Sequence, residues 1–326
     1  MGESCEPGAS VSLVARRHDI NANLLFTWRR QMRTPASVAS PLELIPVEVI
    51  SSAPAASPAA AVGAEQRGMI EIVLVGGARV RVTEYLKQYR TPIFRDCGDH
   101  GVGHGSGSYL SVGDRIFVLT NAHVAVARES GERLLYQFAD SNDLRAIAGN
   151  HVKFGEPLDV ALLPVDAAAW KSAPHGSRAI EFDQIAWAHS PYPTELMTFV
   201  GFPGDDVGFF FETVRAKAQC LTGREVELPP GDDRFSSRFH FGLDYNPNLS
   251  SDVIGNKGLS RPPGLSGSAV WNTCFVEAKA CGIAWTPELA KVTGVIWGWP
   301  SNVGCLVATR AEYLRSFLLS ALAEIS

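Results

Sequence analysis

From residue 88 onward the chain breaks into short runs rich in β-branched and aromatic residues: RIFVLT, DVALLPV, MTFVGF, GSAVW and TGVIWGW. Loops of Gly, Pro, Asn and Asp part them, and no helical pattern alternates with them. Parallel sheets need a helix between successive strands, so this texture leaves antiparallel strands in a sandwich or barrel. With 46% hydrophobic and 19% charged residues, a mostly disordered chain is excluded. The length, 326 residues, leaves room for about two domains. Only the closing segment, TRAEYLRSFLLSALAEI, carries apolar residues at helical spacing, which predicts one C-terminal helix.

Upstream the texture changes twice. Residues 10–33 are helical in pattern and basic, with five arginines against one aspartate. Residues 34–68 contain SSAPAASPAAAVGA, a tract with too little side chain to bury, which reads as a linker around the apolar island LELIPVEVI. IEIVLVGGARVRV (70–82) alternates around Gly76-Gly77 and predicts a β-hairpin. The expected organisation is a helical segment over 1–33, a linker over 34–68, a hairpin remnant over 69–82 and the main domain over 88–326.

Net charge is −5, which argues against a chain that coats nucleic acid along its whole length. Gly, Pro and charges interrupt every apolar run before about 18 residues, so no membrane contact is expected. The start, MGESCEPGAS, has neither the positive nor the apolar region of a secretory signal. The six cysteines are scattered with no zinc-ligand spacing, as expected of free thiols in the cytoplasm. Cys274 and Cys281 could pair only under oxidation. No cofactor or metal is expected. Cys97, Asp99, His100 and His104 have metal-capable side chains but sit in a glycine-rich stretch expected to lead into a hairpin.

Three motifs carry chemistry, and their order matters most: GSGSYLSVGDRIFVLTNAHVA, PLDVALLPV and PPGLSGSAVW. A serine hydroxyl becomes nucleophilic only when a neighbouring imidazole removes its proton, and a carboxylate must fix that imidazole's tautomer. His123, Asp159 and Ser266 each stand at a strand boundary and supply these groups. Glycines around Ser266 allow the N–H groups of Gly264 and Ser266 to converge on one point, where an oxyanion would form. Asp140 and Asp143 are rival carboxylates, but neither leads into a buried apolar strand as Asp159 does. GSGS lacks the Gly-Lys-Ser/Thr of a phosphate loop.

The order TNAHV, DVALL, GLSGS resembles the trypsin/chymotrypsin-like serine peptidases over residues 88–326. The resemblance implies a mainly β fold of two antiparallel six-stranded β-barrels, with His123 and Asp159 on the first and Ser266 on the second. It implies His123 as general base and acid, Asp159 as its orienting carboxylate, Ser266 as nucleophile and a peptide or protein as substrate. Leu265 replaces the Asp with which zymogen-activated members lock a newly cut N-terminus, so activity without processing is expected. Val124 stands where a disulfide-forming Cys would be. Both departures resemble the bacterial high-temperature-requirement type. Ser260, six residues before the nucleophile, is uncharged and argues against selection of Lys or Arg. Trp297 and Trp299 are expected to wall the pocket, which suggests a small or medium apolar side chain.

The N-terminal segment fits a helix-turn-helix, with Ser10 and Asn21 as caps, Ile20 at the turn and Leu25 and Trp28 facing inward. Arg16, Arg17, Arg29, Arg30 and Arg33 would then face solvent and phosphates. Residues 5–82 resemble the accessory DNA-binding protein encoded beside certain bacterial insertion-sequence transposases. The helix expected before the turn is shortened to MGESCEPG, which predicts weak, salt-dependent DNA binding. A gene fusion and a start at Met69 are both compatible with this. The alternative function is a sequence-specific DNA-binding protein of a mobile element whose protease-like domain is incidental.

Overall fold

The structure, a computed structural model, describes residues 71–73, 79–210, 213–245, 261–300 and 304–325. The chain divides into two units, residues 1–62 and 63–326, and all described residues belong to the second. Arg16, Arg17, Arg29, Arg30, Arg33, the Pro/Ala/Ser tract, Gly76-Gly77 and Ser260 lie outside the described residues.

The order of elements begins with β1 (Glu71–Val73), β2 (Arg79–Arg81), α1 (Val82–Leu86), β3 (Arg90–Asp96), β4 (His100–Val112) and β5 (Arg115–Thr120). Next come α2 (Ala122–Ala125), β6 (Arg133–Gln137), β7 (Leu144–Ala146), β8 (Val152–Phe154), β9 (Val160–Pro164) and α3 (Ala167–Ser172). The second half holds β10 (Met197–Gly201), β11 (Val207–Phe210), β12 (Thr213–Ala216), β13 (Gln219–Gly223), β14 (Glu225–Val226) and β15 (His240–Asp244). It closes with β16 (Ala269–Asn272), α4 (Phe275–Ala280), β17 (Lys291–Gly298), β18 (Cys305–Arg310) and α5 (Ala311–Ile325).

β1 and β2 pair antiparallel, Ile72 opposite Val80. The rest is mainly β, in two antiparallel sheets. The first runs β7-β6-β3-β4-β5-β9-β8, and the second runs β13-β10-β16-β17-β18-β15-β14. In the second, β13 and β14 are separated only by Arg224, so the segment 219–226 pairs with β10 at one end and with β15 at the other. The first sheet departs from the six strands expected. It has seven along its path, and the β11–β12 hairpin adds to it because β4 is thirteen residues long. The far end of β4, His100–Val102, takes Phe210–Gly208 as a further partner.

Among the described residues strand alternation builds four apolar clusters, the smallest of them Phe94, Leu135, Phe202 and Val207, and three bear on the site. Ile93, Tyr109, Val118, Tyr136, Ala161 and Leu163 fill the first sheet, and Met197, Phe199, Phe241, Val270 and Ile296 fill the second. Between them, the opposite faces of β5 and β9 (Phe117, Leu119, Val160, Leu162) meet Val292 and Val295 of β17. α5 closes that third core through Ala311, Leu314, Phe317, Leu318 and Ala321, the helical stripe visible in the sequence. Val82 and Leu86 of α1 belong to the same core, so the packed body takes in residues before 88.

Candidate active site

His123 lies in α2, the single turn that follows β5, and Asp159 lies immediately before β9, which pairs with β5. Asp159 has φ of +50°, a left-handed backbone costing a non-glycine residue about 1–3 kcal/mol. Hydrogen bonds on three successive carbonyls hold it there. His240 Nε2 donates to Pro157 O (2.8 Å), Thr309 Oγ1 to Leu158 O (2.8 Å) and Asn121 Nδ2 to Asp159 O (2.7 Å). The strain is thus imposed by both sheets, and it aims the carboxylate at His123. Asp159 Oδ1 accepts the His123 backbone N–H at 2.9 Å, and Oδ2 lies 2.6 Å from Nδ1. With the Asp159 side chain 7% exposed, the pair fixes the proton on Nδ1 and leaves the Nε2 lone pair outward. The His123 side chain, 52% exposed, presents it to solvent.

Ser266 sits in the loop before β16, and this loop is held plane by plane. A trans peptide points its C=O and N–H in opposite directions, so fixing one fixes the other. Pro263 O accepts from Gly204 N–H (2.7 Å), which turns the Gly264 N–H away from Gly204. Leu265 O accepts from Ser268 Oγ (2.8 Å) and Ser268 N–H (3.1 Å), which does the same for the Ser266 N–H. The intervening N–H groups are used inside the protein: Leu265 to Pro262 O (2.9 Å) and Gly267 to Ile296 O (3.0 Å). Between Pro262 and Ser268, Gly264 and Ser266 are left as the two N–H groups with no protein acceptor among the described residues. Such alternation is what an oxyanion site requires.

Glycine is obligatory on both sides of Ser266. At Gly264 (φ +99°) a Cβ would lie 2.4 Å from Gly204 N, and at Gly267 (φ +90°) it would lie 2.1 Å from Ser106 O. The second approach joins the loop to the first sheet. Ser106, buried in β4, donates its N–H to Ser266 O (2.9 Å) and its Oγ–H to Gly264 O (2.7 Å). The same Oγ accepts from Phe202 N–H (2.8 Å), and Ser106 O accepts from Thr120 Oγ1 (2.8 Å). Leu265, 1% exposed, packs into the core of the second sheet.

His123, Asp159 and Ser266 line one cleft of about 560 Å³, with Trp297 and Trp299 on its wall and Lys153 and Arg234 at its rim. Among the described residues no hydrogen bond joins Ser266 Oγ to His123. Lys153 is paired with Glu129 at 2.6 Å. Asp143 is ion-paired with Arg145 (3.6 Å), and Asp140 lines a different cavity, so neither rival carboxylate meets His123. Cys97, Asp99 and His100 sit at the β3–β4 turn, whereas the His104 ring bonds Val124 O, 3.0 Å away. Cys274 and Cys281 are free thiols, and burial pushes Cys274 up to about 11. Ser106, Ser268, His240 and Thr309 escaped the sequence reasoning. The one sequence signal at Ser106 is the GSGS run that opens the His123 motif, and it does not single out this serine. Among the described residues no helix is long and apolar enough to cross a membrane.

Comparisons with known proteins divide along the chain. Over most of it the similar solved structures are serine proteases at low identity. A serine endoprotease from Yersinia pestis is 15% identical, covering 74% of this chain and 65% of its own, with a TM-score of 0.44. The protease domain of the Sesbania mosaic virus polyprotein is 11% identical, with coverages of 71% and 92% and a TM-score of 0.41. The MamO protease domain from Magnetospirillum magneticum is 12% identical, with coverages of 71% and 96% and a TM-score of 0.41. At the N-terminus, residues 2–61 match a family described as "Transposase". Transposase InsC for insertion element IS2A of Escherichia coli (strain K12) is 40% identical over 53 residues, 16% of this chain. The chain spans 44% of the length of that curated relative.

Proposed function

We propose that the protein is a serine endopeptidase that cleaves peptide bonds through an acyl-enzyme. Ser266 Oγ attacks the scissile carbonyl while His123 Nε2 takes its proton, and the imidazolium then gives that proton to the leaving amine. Asp159 remains ionised and steadies the imidazolium through Nδ1. The tetrahedral oxyanion sits between the Gly264 and Ser266 N–H groups. Water, activated by the same imidazole, releases the acyl group. Substrate binding brings the Ser266 hydroxyl and Nε2 into hydrogen-bond reach, a tightening common at such sites. Trp297 and Trp299 favour apolar side chains in the cleft, and the buried Leu265 removes any need for a processed N-terminus. The observation that carries this reading is the pattern of N–H groups around Ser266: Gly264 and Ser266 have no protein acceptor among the described residues, and Ser266 lines the cleft that also holds the His123–Asp159 pair.

The test is covalent labelling by a fluorophosphonate. The wild type should label, and Ser266→Ala should not, while keeping its melting curve. Full labelling of Ser266→Ala would assign the nucleophile elsewhere. The transposase match over residues 2–61 favours a second property, DNA contact through Arg16, Arg17, Arg29, Arg30 and Arg33. Weak binding that falls steeply with salt fits an accessory role. Tight, sequence-selective binding at physiological salt would make DNA the principal partner.

A further inference from the structure

A second cavity, of about 790 Å³, opens where the start of β3 and the loop after β6 meet Phe202. Its walls are largely amide and hydroxyl: Gln88, Gln137, Ser141 and Asn142. Four charged residues, Glu84, Lys87, Arg90 and Asp140, share the wall with them, and Arg90 stands apart from the other three. Its guanidinium lies 4.8 Å over the Phe202 ring, and its buried Nε has no acceptor. Among the described residues no carboxylate comes within ion-pair distance of it. Glu84, on the same wall, is already paired with Lys87 at 2.6 Å. Cys220, Glu84 and Asp140 are near enough to favour its charged form, and neither carboxylate is within ion-pair distance. Burial brings Arg90 down to about 10, so it is still a cation at neutral pH. A half-buried guanidinium with no direct ion pair retains a desolvation cost that a bound anion would offset, and nothing in the catalytic proposal uses it.

We propose that this cavity is a binding site for a small carboxylate, seated on the Arg90 guanidinium. A planar carboxylate matches the guanidinium fork, and the amides around it can meet the remainder of the ligand. Asp140 on the wall opposes a dianion such as phosphate more strongly than a monoanion. The site is independent of the peptidase reading, although Phe202, under the guanidinium, also holds Ser106 through its backbone N–H.

The full chain should be titrated by saturation-transfer NMR with propionate and, separately, with the neutral isostere propionamide, at constant ionic strength. Saturable propionate binding in the low-millimolar range with no propionamide binding is expected. Arg90→Lys, which keeps the charge and loses the fork, should weaken it about tenfold. Asp140→Asn should strengthen it, and this variant carries the test if Arg90→Lys does not fold. No saturable propionate binding would overturn the proposal. Equal propionamide binding, unchanged affinity in both variants, or stronger competition by inorganic phosphate would overturn it as well.

Discussion

Ser106→Ala removes one oxygen atom that serves two partners from different parts of the chain. The Phe202 N–H loses its acceptor in a buried setting, at about 1–3 kcal/mol. The Gly264 carbonyl loses its donor where it is only partly buried, so water can recover part of that bond, leaving about 0.5–1 kcal/mol. The backbone bond from Ser106 N–H to Ser266 O survives the change. The sum, about 1.5–4 kcal/mol, is smaller than the stability of most domains, about 5–15 kcal/mol, so the variant should fold. Its urea midpoint should fall at unchanged slope. Catalysis should fall too, because a loosened Gly264 carbonyl frees the loop that presents the oxyanion donors. Removing such a donor outright costs about 10²–10³ in kcat, and loosening its support should cost about ten- to a hundredfold, with KM held. A stability loss below about 0.5 kcal/mol would show that both groups find other partners. Fluorophosphonate labelling at the wild-type rate would refute the clamp itself.

Asp159→Asn should lower peptide turnover by about four orders of magnitude, through the wrong histidine tautomer, while Asp140→Asn or Asp143→Asn should do far less. Near-full turnover in Asp159→Asn would reassign the carboxylate. His240 is held below the ordinary imidazole value chiefly by burial, and its neutral ring accepts from Ser236 N–H while donating to Pro157 O. With the folded value below the unfolded one, the stability it adds is complete above about pH 6.5 and is lost as pH falls from there through the folded value. Urea midpoints measured from pH 7 to 5 should therefore drop less steeply in His240→Gln, and an unchanged slope would discount the residue. Glu195, buried, accepts from Thr273 Oγ1 and from the N–H groups of Phe275, Val276 and Glu277 at the start of α4. Glu195→Ala should cost about 2–4 kcal/mol in urea titration, and a loss below about 0.5 kcal/mol would mean that water caps the helix as well.

The sequence announces those features in which chemistry and local pattern coincide. The run after Asp159 is continuously apolar because β9 is buried on both faces, and the stripe on α5 repeats at helical spacing because one face closes a core. The glycines flanking Ser266 are legible because their backbone is left-handed. What stayed hidden depends on residues far apart in the chain. Ser106 lies 158 residues from Gly264, and nothing in GSGS distinguishes a clamp from a turn. His240 and Thr309 hold the Asp159 turn from the second sheet across 83 and 151 residues. The docking of β11–β12 on β4 needed the length of β4, which its glycines disguise as loop. Ser260 and the N-terminal arginines lie outside the described residues.

Because Ser106 comes from one sheet and the loop it grips from the other, the geometry around Ser266 exists only after both sheets have formed and met. Asp159, gripped from the second sheet, obeys the same condition. A chain folded only as far as β9 therefore carries the imidazole and the carboxylate without their final aim. Cutting the connection between α3 and β10 should yield two inert fragments that regain reactivity only on re-association, so the cleft doubles as a built-in coincidence sensor for complete assembly.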